Sequence, residues 1–295
     1  MSIIIIDSDW GDISTSDIQC LINSAIDLMD PFYGKPIPYD IEISNTPNIE
    51  SPMVYNSRGV SGQYHINLTT KGHDYSQFYY QFFHEYCHIR TNYLAVDNKY
   101  SWFEESVCEL ASMFGVKRMA FVWKKEKLLP NAKNNFGYSI EKYIQRVIFN
   151  PRKNLPKQQL FKTWLDENRE YLECERYDRD KNGIVANQLL SLFEREPTLW
   201  ELMTYWNKWE ISHNDSIYEA FDKWLSILPE EKKAVAQKLI NVFLWISFFN
   251  GTAKKQGTRE APLLLVIPCI INIINPIQYQ NMQSLMLHSH SVQLK

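Results

Sequence analysis

The chain has 295 residues, of which 45% are hydrophobic and 14% aromatic, and its formal net charge at pH 7 is −3. This composition supplies enough apolar side chains for a large folded core and argues against intrinsic disorder. The small negative charge and the absence of a basic cluster exclude the usual basic type of nucleic-acid-binding protein.

The first residues predict a buried strand rather than a signal peptide. Residues 3–6 are four isoleucines with no preceding Lys or Arg, and Asp7 and Asp9 follow them at once. The cysteines are odd in number and show no C-x-x-C spacing, which indicates a reducing compartment. We therefore expect a cytoplasmic protein. The five cysteines are Cys20, Cys87, Cys108, Cys174 and Cys269.

Alternating and helical patterns continue from there. Residues 17–29 carry apolar side chains at helical spacing, and residues 38–43 alternate as a short strand does. A turn at 57–62 precedes a second alternating strand at 63–69, so a hairpin is expected here. His65 in this strand and His73 after it are expected to face solvent. A strand, a helix and further strands thus precede the most informative segment.

That segment, residues 84–88, reads H-E-x-x-H. Two histidines four residues apart lie about 40° apart around a helix, so both imidazoles leave the same face. This geometry suits two nitrogens that bind one Zn²⁺, with Glu85 placed to take a proton from a metal-activated water. His84 and His88 are therefore predicted metal ligands, and Glu85 a predicted catalytic base.

The surrounding residues support a buried helix. Asp74 is a suitable N-cap after the break at Gly72, and residues 75–83 are dense in aromatic side chains without Gly or Pro. Two histidines and a glutamate on a buried helix need a polar partner, which a metal would supply.

A second helix is predicted from Ser101, and its first turn contains W-F-E-E-S at residues 102–106. Together with the H-E-x-x-H, this piece resembles the gluzincin metallopeptidases, whose aminopeptidase-N-like members carry W-L-N-E-G. The resemblance implies that Glu105 is the third zinc ligand. It also implies that Glu109, one turn later, orients His84, as an acidic residue does in thermolysin-like enzymes.

The resemblance covers about residues 50–120. It implies a zincin-like sheet whose last strand is an edge on which an extended peptide can pair. Neither a G-A-M-E-N-like strand nor an N-A-x-W edge motif is present, so the substrate is not specified. The alternative for Glu104, Glu105 and Glu109 is a solvated acidic helix start. Because Glu104 lies about 100° from Glu105 around the helix, we expect it to face solvent.

From about residue 137 the pattern becomes helical, with breaks at prolines and glycines. The sequence D-R-D-K-N-G at 178–183 imitates an EF-hand start, but position twelve would be Leu189, so a Gly-containing turn before a helix is the better interpretation. The predicted helices cover residues 138–149, 157–173, 184–195, 198–210, 215–227 and 230–248.

We therefore predict an α+β fold with three regions. Residues 1–136 form a zincin-like half with a small mixed sheet and zinc-binding helices, and residues 137–250 form a helical bundle. Residues 251–295 form a largely uncharged extension. Its apolar run at 261–271 is too short for a membrane span, which needs about 20 residues.

The preferred function is a zinc-dependent metallopeptidase that hydrolyses a peptide bond with a zinc-activated water and Glu85 as general base. Its partners would be a peptide or protein substrate, with no nucleic acid and no membrane span. The donor that stabilises the oxyanion remains open among His213, Tyr205 and Tyr218. The alternative is a zincin-fold binding or regulatory module without peptidase activity.

Overall fold

Four short strands build the sheet that the structure describes in the N-terminal part of the chain. The computed structural model describes residues 1–6, 8–93, 98–129 and 136–244. Strands β1 (Ile3–Ile5), β2 (Ile41–Asn45) and β4 (Tyr64–Leu68) run parallel, and β3 (Met53–Val54) runs antiparallel to β4. Ile43 pairs with Ile66 in the register of β2 and β4, and both are fully buried. The strands and helices together confirm the α+β class.

The order of the sheet, β1-β2-β4-β3, corrects one expectation. The strand at 63–69 was expected to be the edge, but β4 lies between β2 and β3. The hairpin that the turn at 57–62 predicted is present, and it puts the two-residue strand β3 outside β4. Strand β3 has only two residues, too few to show an alternating pattern, so the sequence predicts the turn but not the outer strand.

Three long helices follow the strands in the packing order: two lie against the sheet and the third lies against these two. Helix α1 (Thr15–Tyr33) begins at an N-cap, Ser14, and ends at Gly34, whose φ of 79° suits glycine. Helix α2 (Tyr75–Arg90) begins at the predicted N-cap Asp74. Helices α1 and α2 pack against the sheet, and α3 (Ser101–Lys125) packs against α2.

The predicted helices of the second region are present with shifted ends. Gln158 has a φ of 66° after Pro156, so α5 begins later than residue 157. Asp178 caps α6 with hydrogen bonds from the backbone N–H groups of Asp180 and Lys181, both 3.0 Å long. The segment at 178–183 is therefore the start of the helix itself, with Gly183 inside it, rather than a turn before it. The helices are α4 (Phe136–Ile148), α5 (Phe161–Cys174), α6 (Arg179–Arg195), α7 (Thr198–Met203), α8 (Ile217–Ile227) and α9 (Glu230–Leu244), with a 3₁₀ turn at Pro151–Lys153.

Helix α7 ends seven residues before the predicted end at residue 210. The chain then passes through Trp206, which is fully buried, and Asn207, which has a φ of 62°. Asparagine tolerates this left-handed conformation, and it turns the chain out of the helix. The turn brings Asn207 to the candidate site described below.

By its internal contacts, Met1–Phe248 forms one compact unit that contains all the described residues. Within this part of the chain, no helix is both long enough and apolar enough to cross a membrane. The predicted extension at 251–295, with Cys269 and the apolar run at 261–271, lies outside the described residues, as does Asp7.

A protein that ends at residue 250 should keep its secondary structure and its metal affinity, because the predicted metal ligands His84, His88 and Glu105 all precede residue 110. Circular dichroism and a zinc titration of the truncated protein would check this. A truncated protein that folds but no longer holds the metal would contradict our assignment of the site to residues 84–109.

Candidate metal centre

Helix α2 carries the H-E-x-x-H residues on the face that it turns towards α3. The opposite sides of the helix are fixed by fully buried aromatic side chains, among them Tyr79 and Phe82. This packing sets the rotation of α2 about its axis, so that His84, Glu85 and His88 lie close together on the other side of the helix. His88 and Glu85 are buried at 5% and 3% exposure, whereas the His84 side chain is 20% exposed. One side of the group is thus open to solvent.

Helix α3 places Glu105 opposite both histidines. The Nε2 atom of His84 lies 3.3 Å from Glu105 Oε2, and the Nε2 atom of His88 lies 3.4 Å from Glu105 Oε1. Ligand atoms about 2.0–2.2 Å from a tetrahedral zinc are separated by about 3.3–3.5 Å. One donor atom from each of the three residues lies within 4.8 Å of the others. The structure therefore brings the three predicted ligands together at separations that would allow them to share one metal ion.

The structure corrects the expectation that Glu104 faces solvent. Glu104 is only 6% exposed, and its Oε1 atom lies 2.9 Å from His88 Nδ1. The hydroxyl of Thr91 donates to the same oxygen at 3.1 Å. The angle between Glu104 and Glu105 does keep Glu104 away from the Nε2 atoms. It turns Glu104 towards the other nitrogen of His88, where it fixes the orientation of the ring.

Asn207 is a site residue that sequence reasoning missed. Its Nδ2 group donates to Glu104 Oε2 at 2.7 Å and to the Thr91 carbonyl at 3.2 Å. Trp206, beside it, packs on Phe103 with 4.7 Å between ring centroids. The turn after α7 therefore fixes the carboxylate of Glu104, which in turn contacts His88. No spacing in the sequence links residues 104 and 207.

Glu109 lies near His84, as predicted. Its Oε2 atom is 4.0 Å from His84 Nδ1, which is an ion-pair distance rather than a hydrogen bond. Its Oε1 atom accepts hydrogen bonds from the Tyr80 hydroxyl and from the Lys153 ammonium group. The two histidines thus share one pattern, with Nε2 near Glu105 and Nδ1 near a second glutamate.

Charge in this cluster favours a cation. Burial lowers the pKa of His88, but the carboxylates of Glu105 and Glu104 outweigh burial and raise it to about 10. Burial acts to raise the pKa of Glu105, yet His88 and His84 bring it below its usual value. The same negative potential that stabilises a protonated imidazole would stabilise a divalent metal ion in its place.

Glu85 lies beside the ligands, and its carboxyl group is close to the Val54 backbone of β3. Burial raises the pKa of the Glu85 carboxyl above its usual value, while His84, His88 and a hydrogen bond from the Val54 backbone act in the opposite direction. The N–H of Tyr55 donates to β4, so by the alternation of a strand the N–H of Val54 points away from β4 and towards α2. A carboxylate with a raised pKa is suited to proton transfer near neutral pH.

A second group, His88, Glu104 and Cys108, has donor atoms at metal-binding separations. The Nδ1 atom of His88 is already paired with Glu104, whose oxygens accept from Thr91 and Asn207 as well. Burial raises the pKa of the Cys108 thiol well above its usual value, so it stays protonated. Cys108 is therefore a small core residue rather than a metal ligand.

Two tyrosines near the cluster were also missed. The ring of Tyr93 contacts His88, with 5.0 Å between centroids. Burial, Tyr177 and the site glutamates raise the pKa of Tyr93 to about 12, and partial burial and Glu105 raise the pKa of Tyr177. Both phenols therefore remain hydrogen-bond donors at neutral pH. Of the earlier candidates, Tyr205 lies against Lys208 and Tyr218 against Arg169.

The other histidines of the N-terminal part have separate partners. His65 is half-buried rather than solvent-facing, because its Nε2 atom lies 2.9 Å from the Ser44 hydroxyl. His73 is exposed, as expected, and its Nδ1 atom lies 2.8 Å from the Tyr75 hydroxyl.

Comparisons of the chain with protein-family models, with curated proteins and with solved structures found no match.

Proposed function

We propose that the chain is a zinc-dependent metallopeptidase of the gluzincin type, with a zincin-like N-terminal half. The observation that carries the proposal is the position of Glu105, whose two oxygens lie 3.3 and 3.4 Å from the Nε2 atoms of His84 and His88. Two imidazoles and one carboxylate are the protein ligands of a catalytic zinc that keeps a position open for a reactant.

His84, His88 and Glu105 would hold the metal, which when bound would polarise the scissile carbonyl and acidify the attacking water. Glu85 accepts the proton of that water and passes it to the leaving amine. The phenol of Tyr93 or Tyr177 donates a hydrogen bond to the carbonyl oxygen as negative charge develops there. These roles use groups on α2, on α3 and on the segments that follow α2 and α5.

A peptide or protein is the substrate class that the sheet edge supports. Strand β3 is an outer strand, and its Val54 backbone interacts with Glu85. An extended peptide that pairs along β3 would pass close to the catalytic base. In this proposal the peptide pairs with β3, rather than with the strand at 63–69 as the resemblance implied.

The competing proposal is a zincin-fold binding or regulatory module in which the metal is structural or absent. The buried Glu85 favours the enzyme, because a structural site has no need of a carboxyl group with a raised pKa beside its ligands. For the location we propose the cytoplasm, since Cys20, Cys87, Cys108 and Cys174 are all free thiols.

The proposal requires one metal ion per chain. Equilibrium dialysis against zinc, followed by elemental analysis, should give one equivalent for the wild-type protein. The His84→Ala and His88→Ala variants should give much less, whereas His73→Ala should match the wild type. A folded wild-type protein that takes up no zinc would contradict the proposal.

Glu104→Ala should weaken zinc binding by roughly 10–100-fold, the usual effect of removing the partner that orients a histidine ligand. The change also leaves the side chains of His88, Thr91 and Asn207 without their acceptor, at a cost of about 1–3 kcal/mol for each buried group. Chelator competition and thermal melts would measure the two effects.

Glu104→Gln keeps one carbonyl oxygen. It should therefore lose less zinc affinity and less folding stability than Glu104→Ala. If the folded Glu104→Ala protein bound zinc like the wild type, the contact with His88 would have no part in holding the metal.

A further inference from the structure

Lys153 lies in the 3₁₀ turn Pro151–Lys153 and reaches the candidate site from the helical region. Its side chain is 13% exposed, and its ammonium group contacts Glu109 Oε1. The same group lies 3.4 Å from the Tyr80 hydroxyl, which also donates to Glu109 Oε1. A lysine this well buried needs an ionic partner, and Glu109 is that partner.

The surroundings of Lys153 hold its stem in one path. The Asn187 side chain donates to the Lys153 carbonyl at 2.6 Å. Gly183 on α6 leaves room for the stem, because a Cβ atom at that position would lie 2.6 Å from Cγ and Cδ of Lys153. The two helical neighbours thus fix both the backbone and the direction of the lysine.

The two oxygens of Glu109 have different neighbours. Oε1 accepts from Lys153 and Tyr80, and Oε2 is left facing His84 Nδ1 at 4.0 Å. A carboxylate held through one oxygen by two donors, one of them charged, has little freedom to turn the other oxygen away. Its other oxygen is therefore kept on the side of the imidazole, at an ion-pair distance from Nδ1.

We propose that Lys153 is a positioning residue for the metal centre, which fixes Glu109 so that Glu109 orients the ligand His84. The inference rests on the proposed zinc site. On this inference, α6 and the turn before α5 orient His84 through Lys153 and Glu109. The turn after α7 orients His88 through Asn207 and Glu104. Both histidines are then oriented from the helical region.

The test is a double-mutant cycle in zinc affinity with the full-length Lys153→Met, Glu109→Gln and doubly substituted proteins. Lys153→Met should weaken zinc binding by roughly 10-fold or more. The double variant should lose no more than Glu109→Gln alone, because the lysine acts only through Glu109. The visible spectrum of the Co²⁺-loaded Lys153→Met protein should also change, which a purely structural lysine would not cause.

Two further variants keep the inference testable if Lys153→Met folds poorly. Tyr80→Phe removes the other donor to Oε1, and Gly183→Ala displaces the lysine without changing a charge. Each should weaken zinc binding by a few-fold. Lys117→Met is the matched control, because Lys117 forms a 2.7 Å ion pair with Glu194 and is half exposed. It should bind zinc like the wild type.

The inference fails if Lys153→Met binds zinc like the wild type, or if the effects of Lys153→Met and Glu109→Gln multiply. In either case the wild type would still bind zinc, and the proposed function would stand. A wild-type protein without zinc affinity would overturn both.

Discussion

Glu105→Ala should abolish stoichiometric zinc binding. Among the described residues, Glu105 carries the one carboxylate that lies within 3.4 Å of both His84 Nε2 and His88 Nε2, and the change removes it. Its effect should exceed the roughly 10–100-fold loss expected for a residue that only orients a ligand. Chelator competition with folded protein would measure it.

The matched control for that experiment is Glu170→Ala, which removes an exposed carboxylate from α5. Its zinc affinity should equal that of the wild type. The ligand assignment would be overturned by a Glu105→Ala protein that keeps its zinc. It would also be overturned by a metal-bound structure with a Glu104 carboxylate within about 2.2 Å of the ion.

Glu85→Gln should retain zinc and lose turnover by roughly 10²-fold or more, the usual contribution of general-base catalysis. Glutamine has the same shape but cannot accept the proton of the attacking water. Its amide can still occupy the space between α2 and the Val54 backbone, so the fold should survive.

Initial rates of peptide cleavage and zinc content of the same preparation would separate the two effects. Wild-type turnover by Glu85→Gln would show that another group is the base. Loss of zinc together with turnover would show instead that Glu85 supports the metal site.

The helix that carries H-E-x-x-H is the part of this chain that the sequence predicts best. Its H-E-x-x-H spacing, its N-cap Asp74 and its aromatic flanks are all local features, and α2 begins at the predicted N-cap. Glu105 needed the resemblance as well, because nothing local distinguishes it from Glu104. The structure brings it to the two histidines across the contact of α2 with α3.

Glu104 shows the limit of arguments from one helix face. The angle between adjacent residues correctly separates Glu104 from Glu105, but an imidazole has two nitrogens on different sides. The second nitrogen of His88 is what Glu104 reaches. Whether a helix residue faces solvent or a neighbour depends on tertiary packing, here on Asn207 from a turn more than 100 residues away.

The errors outside the site have similar causes. Strand β3 has only two residues, which is too few for a pattern, and so the edge was assigned to the wrong strand. Aromatic residues continue in the sequence beyond the true end of α7, and only the left-handed Asn207 marks the turn. No pattern in the sequence distinguishes Lys153 from the other lysines, because its burial depends on the space left by Gly183.

The central claim is that this chain cleaves peptide bonds with a metal held by α2 and α3. The most direct measurement is mass spectrometry of a mixed peptide library after incubation with zinc-loaded, chelator-stripped and reloaded protein. We predict new termini from cleavage with the loaded protein, none with the stripped protein, and recovery on reloading. An intact library after incubation with protein that holds one zinc per chain would contradict the peptidase and favour the binding module.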